Sequence, residues 1–164
     1  MIKERVVLSG CSKGLTVAIT ILMIAVLLFV CAYGSETQVY IMSAVVVILY
    51  ALPLVYTPMS IELQGRELCI NRPLCKKVIP LKDIKSVTPH QPTLAEKRIC
   101  GSGGWFGYWG RFSEPATGKY FAYYGKASDC FMVALKDGRK YLLGCENRRR
   151  IIDAVKEATQ DYIS

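Results

Sequence analysis

Residues 15–33 read LTVAITILMIAVLLFVCAY, and residues 39–56 read VYIMSAVVVILYALPLVY. Each stretch lacks a charged side chain and, as a helix rising about 1.5 Å per residue, is long enough to cross a hydrocarbon core about 30 Å thick. Buried strands of soluble proteins are much shorter, and a signal peptide has a shorter apolar core followed by a cleavage site. The two stretches therefore predict a transmembrane hairpin over residues 15–56, joined by the five-residue loop 34–38.

Positive charge lies almost entirely outside this hairpin. The 164 residues carry a net charge of +8, of which 57–164 hold +7 and 1–14 hold +2, against −1 for 15–56. Because the loop 34–38 has no Lys or Arg, the positive-inside rule predicts a multi-pass protein of the cytoplasmic (inner) membrane with both termini cytoplasmic. The predicted organisation is a cytoplasmic segment 1–14, the hairpin and a cytosolic domain 57–164.

Short strands replace the apolar stretches in the domain. The pattern predicts strands at 60–63, 67–70, 76–79, 84–88, 120–124, 130–135 and 140–143, with a strand end at 98–100. Asp137-Gly138 supplies the positive φ angles of a tight two-residue turn between the last two strands. After Asn147, a predicted N-cap, apolar residues recur at helical spacing at Ile151, Ile152, Val155, Ala158 and Tyr162. The predicted fold class is α+β, mainly β: a barrel or sandwich capped by a C-terminal helix.

The run Gly101–Phe112, GSGGWFGYWGRF, is the most distinctive part of the domain. It is followed by Gly118-Lys119-Tyr120, the Asp-Gly hairpin and the terminal helix. On these residues the chain resembles the bacterial PH-like (pleckstrin homology-like) domain family, in the membrane-anchored branch with an N-terminal transmembrane hairpin. The resemblance covers roughly residues 57–160. It implies a curved barrel of roughly seven strands, capped by the C-terminal helix.

The glycine–aromatic run is also the first candidate site. It is not a dinucleotide fingerprint, because Phe106 stands where the third glycine would be needed, and no Gly-Lys-Ser/Thr follows to make a phosphate loop. One interpretation is that its rings fill the interior of the domain. The other is that Trp105 and Trp109 lie at the membrane interface and Arg111 contacts a lipid phosphate.

Two basic groups are further candidates for binding anionic lipid headgroups or a protein partner. These are Arg148, Arg149 and Arg150 at the start of the terminal helix, and Lys76 and Lys77 early in the domain. A helix N-terminus attracts anions, and basic residues beside a membrane attract anionic lipid. The alternative for the three arginines is a solvated basic turn. The strands at 120–124 and 131–135 are apolar on both faces, which indicates a surface for the bilayer, another protomer or another protein.

Catalysis, metal binding and nucleic-acid binding have little support in the sequence. Seven cysteines are scattered without a CxxC pair, and His90 is the only histidine, so neither a zinc site nor another cofactor is expected. The pattern instead predicts reduced, packed thiols of a cytosolic domain. No recognisable nucleic-acid reader module is present.

The sequence thus predicts a membrane-anchored interaction module without catalytic activity, which binds a protein partner or anionic lipid. The alternative is a structural protein that forms homo-oligomers or serves as an accessory subunit of a membrane complex.

Overall fold

The computed structural model of the chain describes residues 2–160. Two long helices come first, α1 (Gly10–Tyr33) and α2 (Glu36–Tyr56). Both are long and apolar enough to cross a membrane, and almost none of their residues is buried inside the chain. At about 1.5 Å per residue they extend roughly 36 and 31 Å, which matches the thickness of a bilayer core.

Both helices begin earlier than their apolar stretches. Ser9 caps α1 by accepting a hydrogen bond from the backbone N–H of Ser12, so α1 starts at Gly10 rather than at residue 15. Ser35 and Gln38 form a reciprocal capping box, so α2 starts at Glu36 rather than at residue 39. Capping satisfies the free amides of a first turn, which lets polar residues join the helix. The predicted five-residue loop is therefore shortened to two residues.

The first sheet is antiparallel and contains four strands. In spatial order they are β1 (Ile2–Arg5), β2 (Ser60–Gln64), β3 (Glu67–Asn71) and β4 (Lys76–Pro80). The sequence pattern does not predict β1 and places its residues in a separate N-terminal segment. In the structure, Lys3 lies opposite Glu62 and the strand forms one edge of the sheet. The chain therefore builds one edge of the domain before it enters α1.

The second sheet contains six strands. Along the chain they are β5 (Ile84–Pro89), β6 (Lys97–Gly104), β7 (Gly107–Glu114), β8 (Gly118–Tyr124), β9 (Cys130–Leu135) and β10 (Lys140–Gly144). Their spatial order is β5-β9-β10-β8-β7-β6, and the β8–β10 pair is parallel while the others are antiparallel. The two sheets form a sandwich. The predicted α+β, mainly β fold is thus confirmed in its sandwich form. The curved barrel of roughly seven strands that the resemblance implied is not formed by residues 2–160, which place ten strands in two sheets.

The main core lies between the two sheets and is closed by α3 (Arg148–Gln160). Ile151, Ile152 and Val155 of α3 are buried in this core. Each such side chain contributes roughly 1.5–3 kcal/mol of hydrophobic stabilisation. Asn147 directly precedes the helix, and its side-chain amide donates a hydrogen bond to Glu4 of β1. Tyr162, the last member of the predicted apolar stripe, lies outside the described residues.

The chain itself covers the outer face of the second sheet. A second buried cluster lies there, made of Phe112, Tyr120, Ala122, Tyr124, Cys130, Met132 and Leu142. The loop 90–96 lies over it, since Glu96 accepts hydrogen bonds from the hydroxyls of Tyr120 (2.6 Å) and Tyr124 (3.0 Å). The two-sided apolar pattern of these strands therefore has an intramolecular explanation and does not require a partner.

The β9–β10 connection is longer than the tight turn expected at Asp137-Gly138. Only Gly138 has a positive φ, of 87°. Leu135 donates its backbone N–H to the carbonyl of Arg139, and Gly138 donates to the carbonyl of Leu135. A turn followed by a left-handed glycine needs only one positive φ, which explains why Asp137 remains in an ordinary conformation.

All seven cysteines are unpaired thiols. Cys69, Cys130 and Cys145 are buried, and desolvation is the main reason that the pKa of each thiol is raised, to about 12 for Cys145. Cys100 is exposed on β6.

Candidate functional site

The β6–β7 hairpin carries the glycine–aromatic run, and its glycines permit an unusually close approach of the two strands. Gly101 lies opposite Gly110, both with φ near +125°. A Cβ on Gly110 would lie 2.2 Å from the carbonyl oxygen of Cys100, so no larger residue fits there without moving the backbone. The strands end in a two-residue turn at Trp105-Phe106, in which Phe106 has a φ of 53°. The β6–β7 hairpin is therefore narrow and carries two large rings at its tip.

The tip of this hairpin contacts both apolar helices. The backbone N–H of Phe106 donates to Oγ1 of Thr16 in α1 at 3.0 Å. The ring of Tyr50 in α2 meets the rings of Trp105 and Phe106 edge-on, with centroids 5.6 and 6.0 Å apart. The Tyr50 hydroxyl donates to Oγ1 of Thr20 at 2.8 Å, which links the two helices at the same level. Through these contacts the tip of the hairpin packs against the sides of α1 and α2 rather than against their ends.

The end of α2 is held by two further parts of the domain. The ring of Tyr56 stacks on Trp109 of β7, with centroids 5.3 Å apart and an interplanar angle of 11°. In the loop between β3 and β4, Leu74 donates its backbone N–H to the carbonyl of Leu54 at 3.2 Å. Carbonyls in the last turn of a helix have no partner within the helix, so this loop caps α2. The domain and the helices are thus joined by specific contacts.

A groove lies between the two apolar helices and the β6–β7–β8 part of the second sheet. Its volume is about 680 Å³. The helices contribute an apolar wall made of Leu15, Ile19, Leu52 and Tyr56. The sheet contributes residues of mixed character, namely Arg98, Cys100, Gly101, Ser102, Gly103, Trp105, Trp109, Gly110, Arg111 and Phe121. The groove is therefore amphipathic: its lining combines the apolar wall with two cations, Arg98 and Arg111.

Within residues 2–160, the two cations of the groove have no counter-charge. Neither guanidinium forms a hydrogen bond or ion pair with any of residues 2–160, and no Asp or Glu lines the groove. Arg98 passes over Gly103, where a Cβ would lie only 2.8 Å from its Nη1 atom. The missing side chain at Gly103 thus makes room for Arg98. An unpaired pair of arginines beside an apolar wall suits an anionic group attached to a hydrocarbon chain.

Two indole nitrogens on the sheet side of the groove also lack hydrogen-bond partners among the described residues. The indole N–H groups of Trp105 and Trp109 are inaccessible to solvent and have no hydrogen-bond partner among the described residues. A buried donor without a partner costs about 1–3 kcal/mol. The hairpin is therefore not optimised for stability alone.

A second, basic pocket of about 440 Å³ adjoins the groove. It shares Arg111 and Phe121 with the groove. Its other lining residues are Ile99, Lys119, Tyr120, Arg139, Lys140 and Tyr141. Arg139 forms an exposed ion pair with Asp137, and Nζ of Lys140 donates to the carbonyl of Thr117. Among the described residues, no carboxylate lines this pocket either.

The structure brings together only part of the predicted site. Trp105, Trp109 and Arg111 line the same groove; Trp109 is also part of the main core and only 7% exposed. The other predicted residues lie elsewhere. Lys77 is on β4 beside the ring of Tyr141, and Lys76 is exposed next to it.

The three consecutive arginines line a separate polar pocket at the start of α3. Arg148 donates to the carbonyl of Cys130 at 3.1 Å, and Arg150 forms an ion pair with Glu4 at 3.3 Å. Arg149 is exposed and has no partner among residues 2–160. Two of the three arginines therefore have structural contacts.

Sequence reasoning missed Arg98 and the helix residues of the groove. Arg98 directly precedes the glycine run, but only the bare backbone at Gly103 reveals where its side chain lies. Thr16 and Thr20 stand one turn apart within an apolar stretch, which was the available signal. Their contacts with Phe106 and Tyr50 join residues distant in sequence, and no local pattern indicates such contacts.

Comparison with known proteins supports the same architecture. The family model described as bacterial PH domain matches residues 59–159, which begin one residue before β2 and end within α3. No curated protein and no solved structure matches the chain. The match covers more than half of the chain, and the chain belongs to the bacterial PH domain family.

Proposed function

We propose that the chain is a membrane-anchored interaction module that binds the headgroup of an anionic lipid at the cytoplasmic surface of the inner membrane, without catalysis. The observation that carries this proposal is the groove whose lining combines Arg98 and Arg111, unpaired within residues 2–160, with an apolar wall formed by α1 and α2. PH-like domains are generally interaction modules, which agrees with this role.

The proposed topology places both termini in the cytoplasm. Lys3, Arg5 and Lys13 precede or begin the first helix, whereas the connection Gly34-Ser35 carries no charge. Positive residues near membrane helices stay on the cytoplasmic side. The groove then opens at the level where the cytoplasmic leaflet meets the domain.

The chemistry of the groove favours lipid over a soluble anion. A phosphate between Arg98 and Arg111 would gain charge-assisted hydrogen bonds, and the nearby apolar wall lowers the local dielectric and strengthens them. The attached hydrocarbon chain would meet Leu15, Ile19 and Leu52 instead of water. A soluble anion would leave this apolar wall exposed.

The rival function is assembly with identical copies or with another membrane protein. The outer face of the second sheet no longer argues for it, because the loop 90–96 covers that face. The lipid test decides between the two functions, since an assembly role does not require the two arginines.

The test uses the full chain in neutral detergent, titrated with phosphatidylglycerol or with phosphatidylcholine, and counts bound lipid by native mass spectrometry. We expect selective retention of phosphatidylglycerol. Replacing Arg98 or Arg111 by Ala should weaken it about fivefold each, because a basic residue near anionic lipid contributes about 1 kcal/mol. Lys85→Ala, which removes an exposed cation from the far edge strand of the same sheet, is the matched control.

Two additional readouts make the test specific. Cys100 lines the groove, so bound lipid should slow its reaction with a maleimide, while the exposed Cys11 outside the groove reports any general effect. Gly103→Ala should displace Arg98 and weaken binding without changing the thermal unfolding temperature, because only a flexible side chain must move. Unchanged lipid retention in folded Arg98→Ala and Arg111→Ala proteins would contradict the proposal and favour the assembly function.

A further inference from the structure

The basic pocket beside the groove extends the same surface away from the helices. Arg111 on β7 lies opposite Phe121 on β8, and Phe121 lies opposite Tyr141 on β10. Lys119 precedes Phe121 by two residues on β8 and is paired with Ser113. Because side chains on a strand alternate between faces, Lys119 lies on the same face as Phe121 and Arg111. One continuous face thus carries Arg111 toward the groove and Lys119 away from it.

The spacing of these cations suits two anionic groups rather than one. Residues two apart on a strand are roughly 6.6 Å apart, and neighbouring strands lie about 4.8 Å apart, so the Cα atoms of Arg111 and Lys119 are roughly 8 Å from each other. Arg98 and Arg111 line the groove, and Arg111 and Lys119 line the basic pocket. Arg111 can therefore contribute to both positions.

Lys119 is available for a ligand. Its side chain is exposed and makes no hydrogen bond or ion pair with the described part of the chain. Two other cations line the same pocket but already have partners: Arg139 is paired with Asp137, and Lys140 donates to the carbonyl of Thr117. They add positive potential to the pocket. The buried carboxylate nearest to Lys119 in sequence is that of Glu114. It already accepts hydrogen bonds from Thr93, His90 and Thr117.

We infer that the groove and the basic pocket together bind one membrane lipid whose headgroup carries two phosphate groups. This inference rests on the proposed function and adds the class of lipid. Hydrocarbon lies along Leu15, Ile19 and Leu52, the nearer phosphate lies between Arg98 and Arg111, and the farther phosphate lies between Arg111 and Lys119. The continuity of the apolar wall with the helices commits the site to a lipid rather than to a free diphosphate.

The experiment compares a lipid with two phosphates and a lipid with one. The full chain in neutral detergent is offered phosphatidylglycerol phosphate and phosphatidylglycerol in competition, and the bound lipids are counted by native mass spectrometry. The two lipids differ only in the terminal phosphate, and we expect the wild-type chain to prefer phosphatidylglycerol phosphate. Lys119→Ala should reduce phosphatidylglycerol phosphate binding about fivefold, the effect of one basic residue near anionic lipid, and leave phosphatidylglycerol binding unchanged. Lys119→Arg should retain the preference, and Lys85→Ala should behave like the wild type.

The outcomes separate this inference from the proposed function. If Lys119→Ala keeps the full preference, or if the wild-type chain has none, the two-phosphate inference is overturned even when Arg98→Ala still weakens phosphatidylglycerol binding. If Arg98→Ala and Arg111→Ala change neither lipid, the proposed function fails as well. If free pyrophosphate displaces bound phosphatidylglycerol at equal concentration, the site is not committed to lipid and the inference is overturned.

Discussion

Glu114 holds the loop 90–96, which covers the outer face of the second sheet. It is 3% exposed and accepts hydrogen bonds from the backbone N–H and hydroxyl of Thr93, from Nε2 of His90 at 2.8 Å and from the hydroxyl of Thr117. Burial alone would raise its pKa, but the hydrogen bonds from Thr93 and His90 outweigh burial and hold the pKa of the carboxyl below its ordinary value of 4.5. The ionised carboxylate thus fastens the loop 90–96 to the sheet.

The first prediction is that Glu114 makes stability depend on pH in the acid range. A carboxyl whose pKa is lowered by folding stabilises the native state above its unfolded pKa, near 4.5, and this contribution is lost as pH falls through the lower folded pKa. Glu114→Gln should lower the free energy of unfolding by about 1–3 kcal/mol at pH 7 and flatten its decline below pH 4.5. Urea unfolding of the full chain in detergent at several pH values measures both effects.

The control for this prediction is Glu157→Gln, which changes an exposed carboxylate of α3 that has no partner among residues 2–160. It should leave the pH dependence unchanged. An equally steep acid decline in Glu114→Gln and in the wild type would show that another group is responsible.

At the scale of elements, the β6–β7 hairpin depends on a pair of facing glycines. Gly101 and Gly110 have positive φ angles, and an added Cβ on either would approach the opposite backbone to less than 3 Å. Two separate costs therefore apply to any substitution there: an unfavourable conformation and a collision with backbone. Because this hairpin forms one side of the groove, its geometry sets the position of Arg98 and Arg111.

The second prediction separates these two costs. Gly118 has a positive φ of 79°, and an added Cβ there would meet no atom within 4 Å. Gly118→Ala should therefore destabilise the chain by only about 1 kcal/mol. Gly110→Ala, which adds the backbone collision, should cost on the order of 3 kcal/mol. Thermal unfolding of both variants in the same detergent measures the difference. Equal unfolding temperatures for the two variants would contradict the close approach of β6 and β7.

At the scale of the whole molecule, the tip of the β6–β7 hairpin lies beside α2 rather than beyond its end. The tip and the last turns of α2 therefore have the same depth along the helix axis. Trp105 and Phe106 contact Tyr50, which lies six residues before the end of α2, or roughly 9 Å along the helix axis. If α2 spans the bilayer as proposed, these two rings reach the interfacial part of the cytoplasmic leaflet, where aromatic residues are enriched. Trp109 is instead enclosed between Tyr56 and the main core.

The third prediction uses the fact that the chain contains only two tryptophans. In Trp109→Phe, fluorescence comes from Trp105 alone and should be quenched strongly by lipids brominated near the glycerol end of the acyl chain. In Trp105→Phe, fluorescence comes from Trp109 and should be quenched less by the same lipids, because that ring is 7% exposed. Aqueous iodide should quench neither strongly. Strong iodide quenching of Trp105 would place the hairpin tip in water and contradict the shared depth.

The elements that the sequence predicted correctly have local causes. The two helices follow from uncharged apolar stretches that are long enough to cross a membrane. The strands β2, β3, β9 and β10 follow from alternating residues between turn signals, and α3 follows from its helical period. Sequence resemblance to the bacterial PH-like family is confirmed over residues 59–159.

The strands of the glycine run were largely missed for an equally local reason. β6 and β7 are rich in glycine, which has low strand propensity and is typical of loops. Their sheet structure depends on pairing with each other and on the pairing of β7 with β8, so the local residues alone indicate the wrong state.

The sequence by itself determined the two apolar helices, the class of the domain and its family, because segment length, hydrophobic period and turn residues are local properties of the chain. Only the tertiary structure decided that β1, which precedes both helices in the chain, completes the first sheet, and that Arg98 and Arg111 line one groove with Leu15. These contacts join residues tens of positions apart. Their free energy exists only once the sheets have formed, so no local pattern records it.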